Sequence, residues 1–231
     1  MYYSVCFLFA FALTFSVCDT TENISVSAQT SQGKTPIIVI DAGHGGEDGG
    51  AVSPSGLLEK DINLDIALTL KKFLIQSGFE VKMIRTTDTA IYSSSAVTLR
   101  EKKTSDLHNR VDIINNNPDN ILISIHQNKF EQSKYKGTQI FYSVNNPLSE
   151  TLANSIRMSV KGLLQNDNNR ECKPAEKNIY LLYNSSVPAV LVECGFLSNP
   201  EEEELLSLKE YRNNIAFSIY TGFLEFYYQN Y

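Results

Sequence analysis

Three short segments constrain this chain more than anything else in it. They are Ile37–Asp41 (IIVID), Ile121–His126 (ILISIH) and Ala189–Glu193 (AVLVE). Each is apolar almost throughout and ends on an ionisable residue. Runs of this length and composition suit strands covered on both faces. Between them the hydrophobic period changes. Ile62, Ile66, Leu70 and Leu74 draw one apolar stripe along a helix over Lys60–Gln76. Leu107, Val111 and Ile114 do the same for Leu99–Asn116. Phe79–Arg85 and Thr138–Val144 read as further strands, and Ile179–Tyr183 as another short apolar run. Pro147–Gln165, with a proline near its first turn, and Glu210–Tyr228 read as helices. Strand–helix alternation of this kind predicts an α/β domain with a mostly parallel or mixed sheet. The least regular stretch is 86–106, where Ser93–Ser95 suggests a mobile loop.

The N-terminus is different in kind. Residues 1–18 (MYYSVCFLFAFALTFSVC) are apolar and aromatic with no charged side chain, and a polar stretch follows. This is the pattern of a signal peptide or a short membrane anchor. The segment lacks an initial Lys or Arg and a clean small-x-small cleavage site, and Phe15 and Val17 fit a lipidation box at Cys18 badly. The expected organisation is a leader (1–18), a linker (19–36) and one catalytic domain (37–231). The protein is therefore expected outside the cytoplasm, touching membrane only through the leader. A net charge of −6 argues against a nucleic-acid partner. No C-x-x-C pair occurs, which excludes a structural zinc knuckle. Cys172 and Cys194 could form a disulfide, or remain free thiols with Cys194 buried.

Four side chains stand out on this map. His44 follows the first strand, inside DAGHGGEDGG. Glu59 stands immediately before the first helix. His126 closes the third strand and Glu193 closes the last apolar run. Ligand sites in open α/β sheets gather at the carboxyl ends of strands, and three of the four fall there. The glycines between Gly43 and Gly50 imply tight turns or close approach, and let that loop fold back to bring Glu59 in. Two imidazoles and one carboxylate are a common catalytic zinc shell with a position left for water. His44, Glu59 and His126 are the candidate ligands for one Zn²⁺. A carboxylate outside that shell, Glu193, can serve as general base and then general acid. Each has a bland reading: a polar loop residue for His44, a helix N-terminal carboxylate for Glu59. His126 and Glu193 are harder to explain away, because each ends an apolar strand and needs a partner. His108, the remaining histidine, reads as a surface residue. Asp41 and Asp48 are candidates to support the ligands, with structural turn roles equally open.

Taken together, IVIDAGHGGEDGGAV, LLEKDINLDIA, RTTD, the R-x-x-x-x-N of Arg110 to Asn115, SIHQN and PAVLVECGFLSNPEE resemble the zinc-dependent N-acetylmuramoyl-L-alanine amidases of the Amidase_3 type. The likeness runs in order from about Ile37 to Tyr228. Within that family the chain looks most like the CwlD-like spore-cortex amidases of endospore-forming bacteria. The resemblance implies a twisted sheet of about six strands with helices on both faces. It implies zinc on His44, Glu59 and His126, and Glu193 as the catalytic glutamate. The implied reaction is hydrolysis of the amide between N-acetylmuramic acid and L-alanine in peptidoglycan, upstream of muramic-δ-lactam formation. Lys129 after SIHQN and Cys194 after the glutamate depart from the common pattern. No long insertion separates His126 from Glu193, which argues against self-inhibition by a plugging helix. Targeting then falls to the leader, the catalytic groove or an accessory protein. Two other readings stay open on the residues alone. One is a zinc carboxypeptidase-like peptide hydrolase, which would need an arginine clamp such as Arg85 or Arg110. The other is a non-catalytic wall-binding protein.

Overall fold

Strand β1 (Ile37–Ala42) is buried at every residue after its first, so it needs neighbours on both edges and cover on both faces. Its neighbours are β2 (Glu80–Met83) and β3 (Asn120–Asn128), both parallel to it. β3 pairs in parallel with β6 (Ala189–Phe196). β6 pairs antiparallel with β4 (Gln139–Tyr142), whose outer edge carries the two-residue β5 (Lys173–Pro174). The result is one six-stranded mixed sheet in the order β2-β1-β3-β6-β4-β5. These observations come from a computed structural model that describes residues 35–231. The expected leader (1–18), with its two cysteines, and the linker up to residue 34 lie outside the described residues.

Helices cover both faces. α1 (Glu59–Gln76), α3 (Leu148–Leu163) and α6 (Lys209–Asn230) pack on one face through Ile66, Leu70, Ile156, Ile219 and Phe223, against Ile40, Ile123 and Val192 of the sheet. α2 (Leu99–Asn115) and the single-turn α4 (Tyr180–Tyr183) cover the other through Ile114, Leu181 and Leu182. α2 starts where a capping box fixes it: the Glu101 amide donates to Thr98 Oγ1 at 3.2 Å and the Thr98 amide to Glu101 Oε2 at 2.8 Å. Among the described residues no helix is long and apolar enough to cross a membrane.

The second face of the sheet changes character along the strands. Val39, Leu122, Ala189 and Leu191 form its apolar half. Side chains two residues apart share a face, so Asp41, Ser124, His126 and Glu193 continue that surface toward the carboxyl ends. The register sets Asp41 beside Ser124 and His126 beside Glu193. Parallel pairing thus delivers a polar row to one edge of the sheet.

Several elements differ from expectation. The Ile179–Tyr183 run forms a helical turn rather than a strand, and the sixth strand is β5. A further helix, α5 (Pro200–Ser207), starts where Asn199 Oδ1 accepts the Glu201 and Glu202 amides and Pro200 takes the first turn. β3 and β6 run past His126 and Glu193, and the β3–β6 register shifts between His126 and Asn128. The 86–98 segment is tied to α2: the Ile91 amide donates to Asp106 Oδ1 at 2.6 Å and the Ser93 amide to Ser105 Oγ at 2.9 Å. Cys172 and Cys194 are free thiols, and Cys194 is buried.

α3 and α6 touch backbone to backbone at Gly222, where an added Cβ would stand 2.4 Å from Ile156 Cα. Gly222→Val should therefore cost about 1–3 kcal/mol through overpacking. Urea unfolding measures this as a lower midpoint with an unchanged slope. A midpoint at or above the parent's would show that the helices are not in contact there.

Candidate metal centre

The loop after β1 brings His44 back over the sheet edge. Its last ladder bond is the Gly43 amide donating to Ile125 O at 3.0 Å. Gly43 must lack a side chain, because a Cβ there would lie 2.2 Å from His126 Nε2. Gly50 is equally constrained: at φ 67 its Cβ would meet Glu59 Oε2 at 2.6 Å. The glycines of DAGHGGEDGG thus allow the loop to press on the side chains of His126 and Glu59.

Glu59 is the first residue of α1 rather than the residue before it, and only 3% exposed. Its Oε1 lies 2.9 Å from His126 Nδ1 and 3.3 Å from His44 Nε2, and accepts the Gln127 amide at 3.0 Å. Its Oε2 accepts the Ala51 amide at 2.8 Å. One ligand atom from each of His44, Glu59 and His126 lies within 4.8 Å of the other two, a spacing that could hold one metal ion. The other ring nitrogen of His44, Nδ1, sits 3.0 Å from Asp48 Oδ2. A carboxylate there fixes the ring's tautomer and orientation.

Glu193 stands beside His126 in the β3–β6 register. Its Oε2 is shielded from solvent and has no hydrogen-bond partner among the described residues. A buried carboxylate oxygen without a donor is costly unless a ligand or water serves it. Burial pushes the Glu193 carboxyl up to about 7; the His126 and His44 imidazoles oppose the rise and the Glu59 charge adds to it. Burial also penalises charge on Glu59, but hydrogen bonds and attraction from His126 and His44 prevail and hold its carboxyl well below the usual range. His44 shows the reverse balance. Burial draws its imidazole down, yet hydrogen bonds to Asp48 and Glu59 raise it to about 9.

Two arginines lie beneath the loop. Arg85 and Arg110 are 3% and 2% exposed. Arg85 donates to the carbonyls of Ala42, Gly43, Lys60 and Thr87. Arg110 donates to Asp41, Asp106 and the carbonyls of Ala42 and His44. Every guanidinium nitrogen of both is engaged, so neither is available to clamp a substrate carboxylate. Asp41 serves Arg110, with Ser124 Oγ donating to its other oxygen at 2.6 Å, rather than a ligand directly. His108 is exposed, as expected, beside Tyr180. Sequence reasoning missed Asn63 and Gln127: Asn63 Nδ2 donates to Glu59 Oε1 at 3.3 Å, and Gln127 Nε2 to Asn63 Oδ1 at 3.1 Å. The signal for Asn63 was its position four residues after Glu59 on one helix face. An open cleft beside the cluster is walled by Asp48, Tyr92, Leu99 and Lys102.

Residues 38–225 match the N-acetylmuramoyl-L-alanine amidase family. The germination-specific N-acetylmuramoyl-L-alanine amidase of Bacillus subtilis is 38% identical over 191 residues, 83% of this chain and 79% of that one. A probable cell wall amidase, LytH, of Staphylococcus aureus is 33% identical over 208 residues, covering 87% of this chain; the match spans 62% of that relative's length. Among solved structures, the CwlD amidase from Clostridioides difficile, in complex with the GerS lipoprotein, has a TM-score of 0.81 and 41% identity. That match covers 85% of this chain and 100% of that one.

The His44 pairing predicts a pH dependence for the metal-free protein. Its folded-state value, about 9, lies above the ordinary 6.5. The group therefore stabilises the fold fully below about pH 6.5 and loses that contribution as pH rises through about 9. Thermal midpoints of metal-free protein should fall over that window, and Asp48→Asn should flatten the fall. An equally steep fall in the variant would detach Asp48 from His44.

Proposed function

This chain belongs to the N-acetylmuramoyl-L-alanine amidase family, and from that premise we propose a zinc-dependent enzyme of peptidoglycan. It hydrolyses the amide between the lactyl group of N-acetylmuramic acid and L-alanine of the stem peptide. The observation that carries the metal reading is the convergence of the His44 and His126 imidazoles on the Glu59 carboxylate, beside Glu193, whose Oε2 has no partner among the described residues. His44 Nε2, Glu59 and His126 Nδ1 would hold the ion. Zinc bound there would supply Lewis-acid polarisation of the scissile carbonyl and a more acidic water.

The chain's own residues do the rest. Glu193, poised near neutrality by its burial, takes a proton from the water as its oxygen attacks the carbonyl carbon. The carbon–nitrogen bond then breaks, and Glu193 passes the proton to the departing nitrogen of L-alanine. The products are a lactyl carboxylate on the sugar and a free α-amino group on the peptide. Asp48 keeps His44 Nδ1 protonated and Nε2 directed at the ligand position. The engagement of Arg85 and Arg110 with backbone carbonyls speaks against the carboxypeptidase-like alternative, which needs a free cationic clamp. A non-catalytic wall-binding role would leave the unpartnered Glu193 carboxyl without a use.

Likeness to a germination-specific amidase supports a role in spore-cortex maturation, before muramic-δ-lactam formation. The CwlD amidase is solved with a lipoprotein bound, which supports an accessory protein as the targeting partner here. The apolar, uncharged residues 1–18 support export, as a signal peptide or as an anchor.

Glu193→Gln should retain one zinc per chain and lose turnover by about 10²–10⁴-fold, whereas His126→Ala should lose the zinc. Metal analysis of both variants and mass spectrometry of muropeptides check this together. Unchanged turnover in Glu193→Gln removes that residue from the chemistry. Cleavage within the stem peptide, with the lactyl–alanine amide intact, would replace the amidase reading with a peptidase.

A further inference from the structure

His44 is held in a backbone conformation that residues with a side chain adopt only uncommonly. Its φ is 64°, and it is the one non-glycine residue with positive φ among those described. L-residues with a full side chain occupy this region at a cost, and do so where the surroundings enforce it. Gly45 exchanges hydrogen bonds with the Asp48 backbone and the Gly46 amide donates to Asp88 Oδ1 at 2.8 Å, but these bonds hold the residues after His44 and not its own backbone groups. The β1 ladder has ended one residue earlier, at the Gly43 amide.

The restraint comes from below the loop. Arg110 Nη2 donates to His44 O at 2.9 Å, and its Nη1 to Ala42 O at 3.1 Å. One rigid fork therefore spans the turn from the last residue of β1 to the ligand itself. Arg85 shares the Ala42 carbonyl through Nε at 2.8 Å and holds the Gly43 carbonyl between them through Nη2 at 3.0 Å. Arg110 is itself immobilised. Asp41 Oδ1 accepts from Nη1 at 2.5 Å and Asp106 Oδ2 from Nε at 2.6 Å. Burying a cation close to a dication's seat is electrostatically adverse. Core packing alone would be met by an apolar side chain. A planar, always-charged fork with donors in fixed directions is suited to holding two carbonyls two residues apart.

We propose that Arg110, locked by Asp41 and Asp106, is a positioning residue that sets the left-handed backbone of His44 and so aims Nε2 at the metal. Asp48 fixes the ring from its other nitrogen, and Arg110 fixes the Cα from which the ring projects. The inference rests on the zinc reading above and assigns the support of that site to a residue that touches neither metal nor substrate.

The test compares the wild-type chain with Arg110→Lys. Lysine keeps the charge but cannot hold two carbonyls and two carboxylates from a planar fork. Circular dichroism of the metal-free proteins checks folding. Zinc affinity is read by chelator competition, ligand geometry by the visible spectrum of the Co²⁺ form, and catalysis by kcat and KM. Arg110→Lys should fold and bind zinc about 10- to 100-fold more weakly. Its Co²⁺ bands should shift, and kcat should fall with KM little changed. If Arg110→Lys does not fold, Asp106→Asn frees Nε while leaving the arginine in place, and should show a smaller loss of zinc affinity in the same direction. A lowered thermal midpoint with parental zinc affinity and an unaltered Co²⁺ spectrum would overturn the proposal, since Arg110 would then serve the core alone. Absence of zinc binding by the wild-type chain is a separate outcome, and would remove the metal reading together with this inference.

Discussion

A carboxylate that is 3% exposed cannot stay charged inside a protein without cationic or hydrogen-bonding company. Glu59 obtains it from three other segments of the chain. The Ala51 amide comes from the glycine-rich loop, the Gln127 amide and His126 from β3, and His44 from the turn after β1. Each of these segments reaches the carboxylate only because the others are in place. The loop can press inward because Gly43 and Gly50 carry no side chain. β3 arrives at the right depth because its register with β1 is fixed over six residue pairs. The organisation of this edge of the domain follows from keeping one buried anion satisfied.

That arrangement alternates in sign. From the core outward run Asp41, Arg110, the carbonyls of the turn, His44 and then Asp48, with Glu59 beside the imidazoles. Charges so placed shift one another strongly. Glu59 stays ionised despite burial, and His44 holds a proton up to about 9. Glu193 stands apart from this chain of pairings, with no donor on its inner oxygen and its carboxyl raised to about 7. An unserved oxygen and a raised carboxyl set Glu193 apart from His44, Glu59 and His126, which pair with one another; the Gln127 Oε1, also without a partner among the described residues, is an uncharged amide oxygen. Fully paired groups hold geometry, whereas an unpaired one is available for transfer.

Much of this was legible in the residues. β1, β3 and β6 announced themselves as apolar runs; of the ionisable residues that close them, His126 joins His44 and Glu59 in the cluster, Glu193 stands beside His126, and Asp41 pairs with Arg110. α1 and α2 followed from their apolar stripes. What escaped has physical reasons. β5 is two residues long and carries no periodicity. The Ile179–Tyr183 run has the composition of a strand, yet Leu181 and Leu182 fill the small core beneath the sheet as one helical turn. α5 was hidden by its four glutamates, although Asn199–Pro200 before them is a helix-start signal that could have been read. Arg85 and Arg110 were visible as residues and not as contacts. Which carbonyl a guanidinium reaches depends on strands and helices meeting across the fold, and spacing along the chain carries no trace of that.

The two arginines also bear on how such a domain separates one amide from another. An exopeptidase recognises the charged end of its substrate and needs a cation facing the cleft. Here Arg85 is spent on main-chain carbonyls, and Arg110 on carbonyls and on the carboxylates of Asp41 and Asp106. The cleft beside the cluster is bordered by Tyr92, Leu99, Lys102 and Lys103; Lys102 is paired with Glu47 at 2.9 Å and Lys103 faces Asp48 at 3.7 Å. A wall of this kind offers an apolar and aromatic surface whose cations already face carboxylates. It suits a bond in the interior of a branched polymer better than a chain terminus, because nothing in it demands a free carboxylate. Selectivity then rests on the shape of the groove and on how the ligand turn is held. The rigidity that Arg110 gives His44 would accordingly serve recognition as well as metal binding.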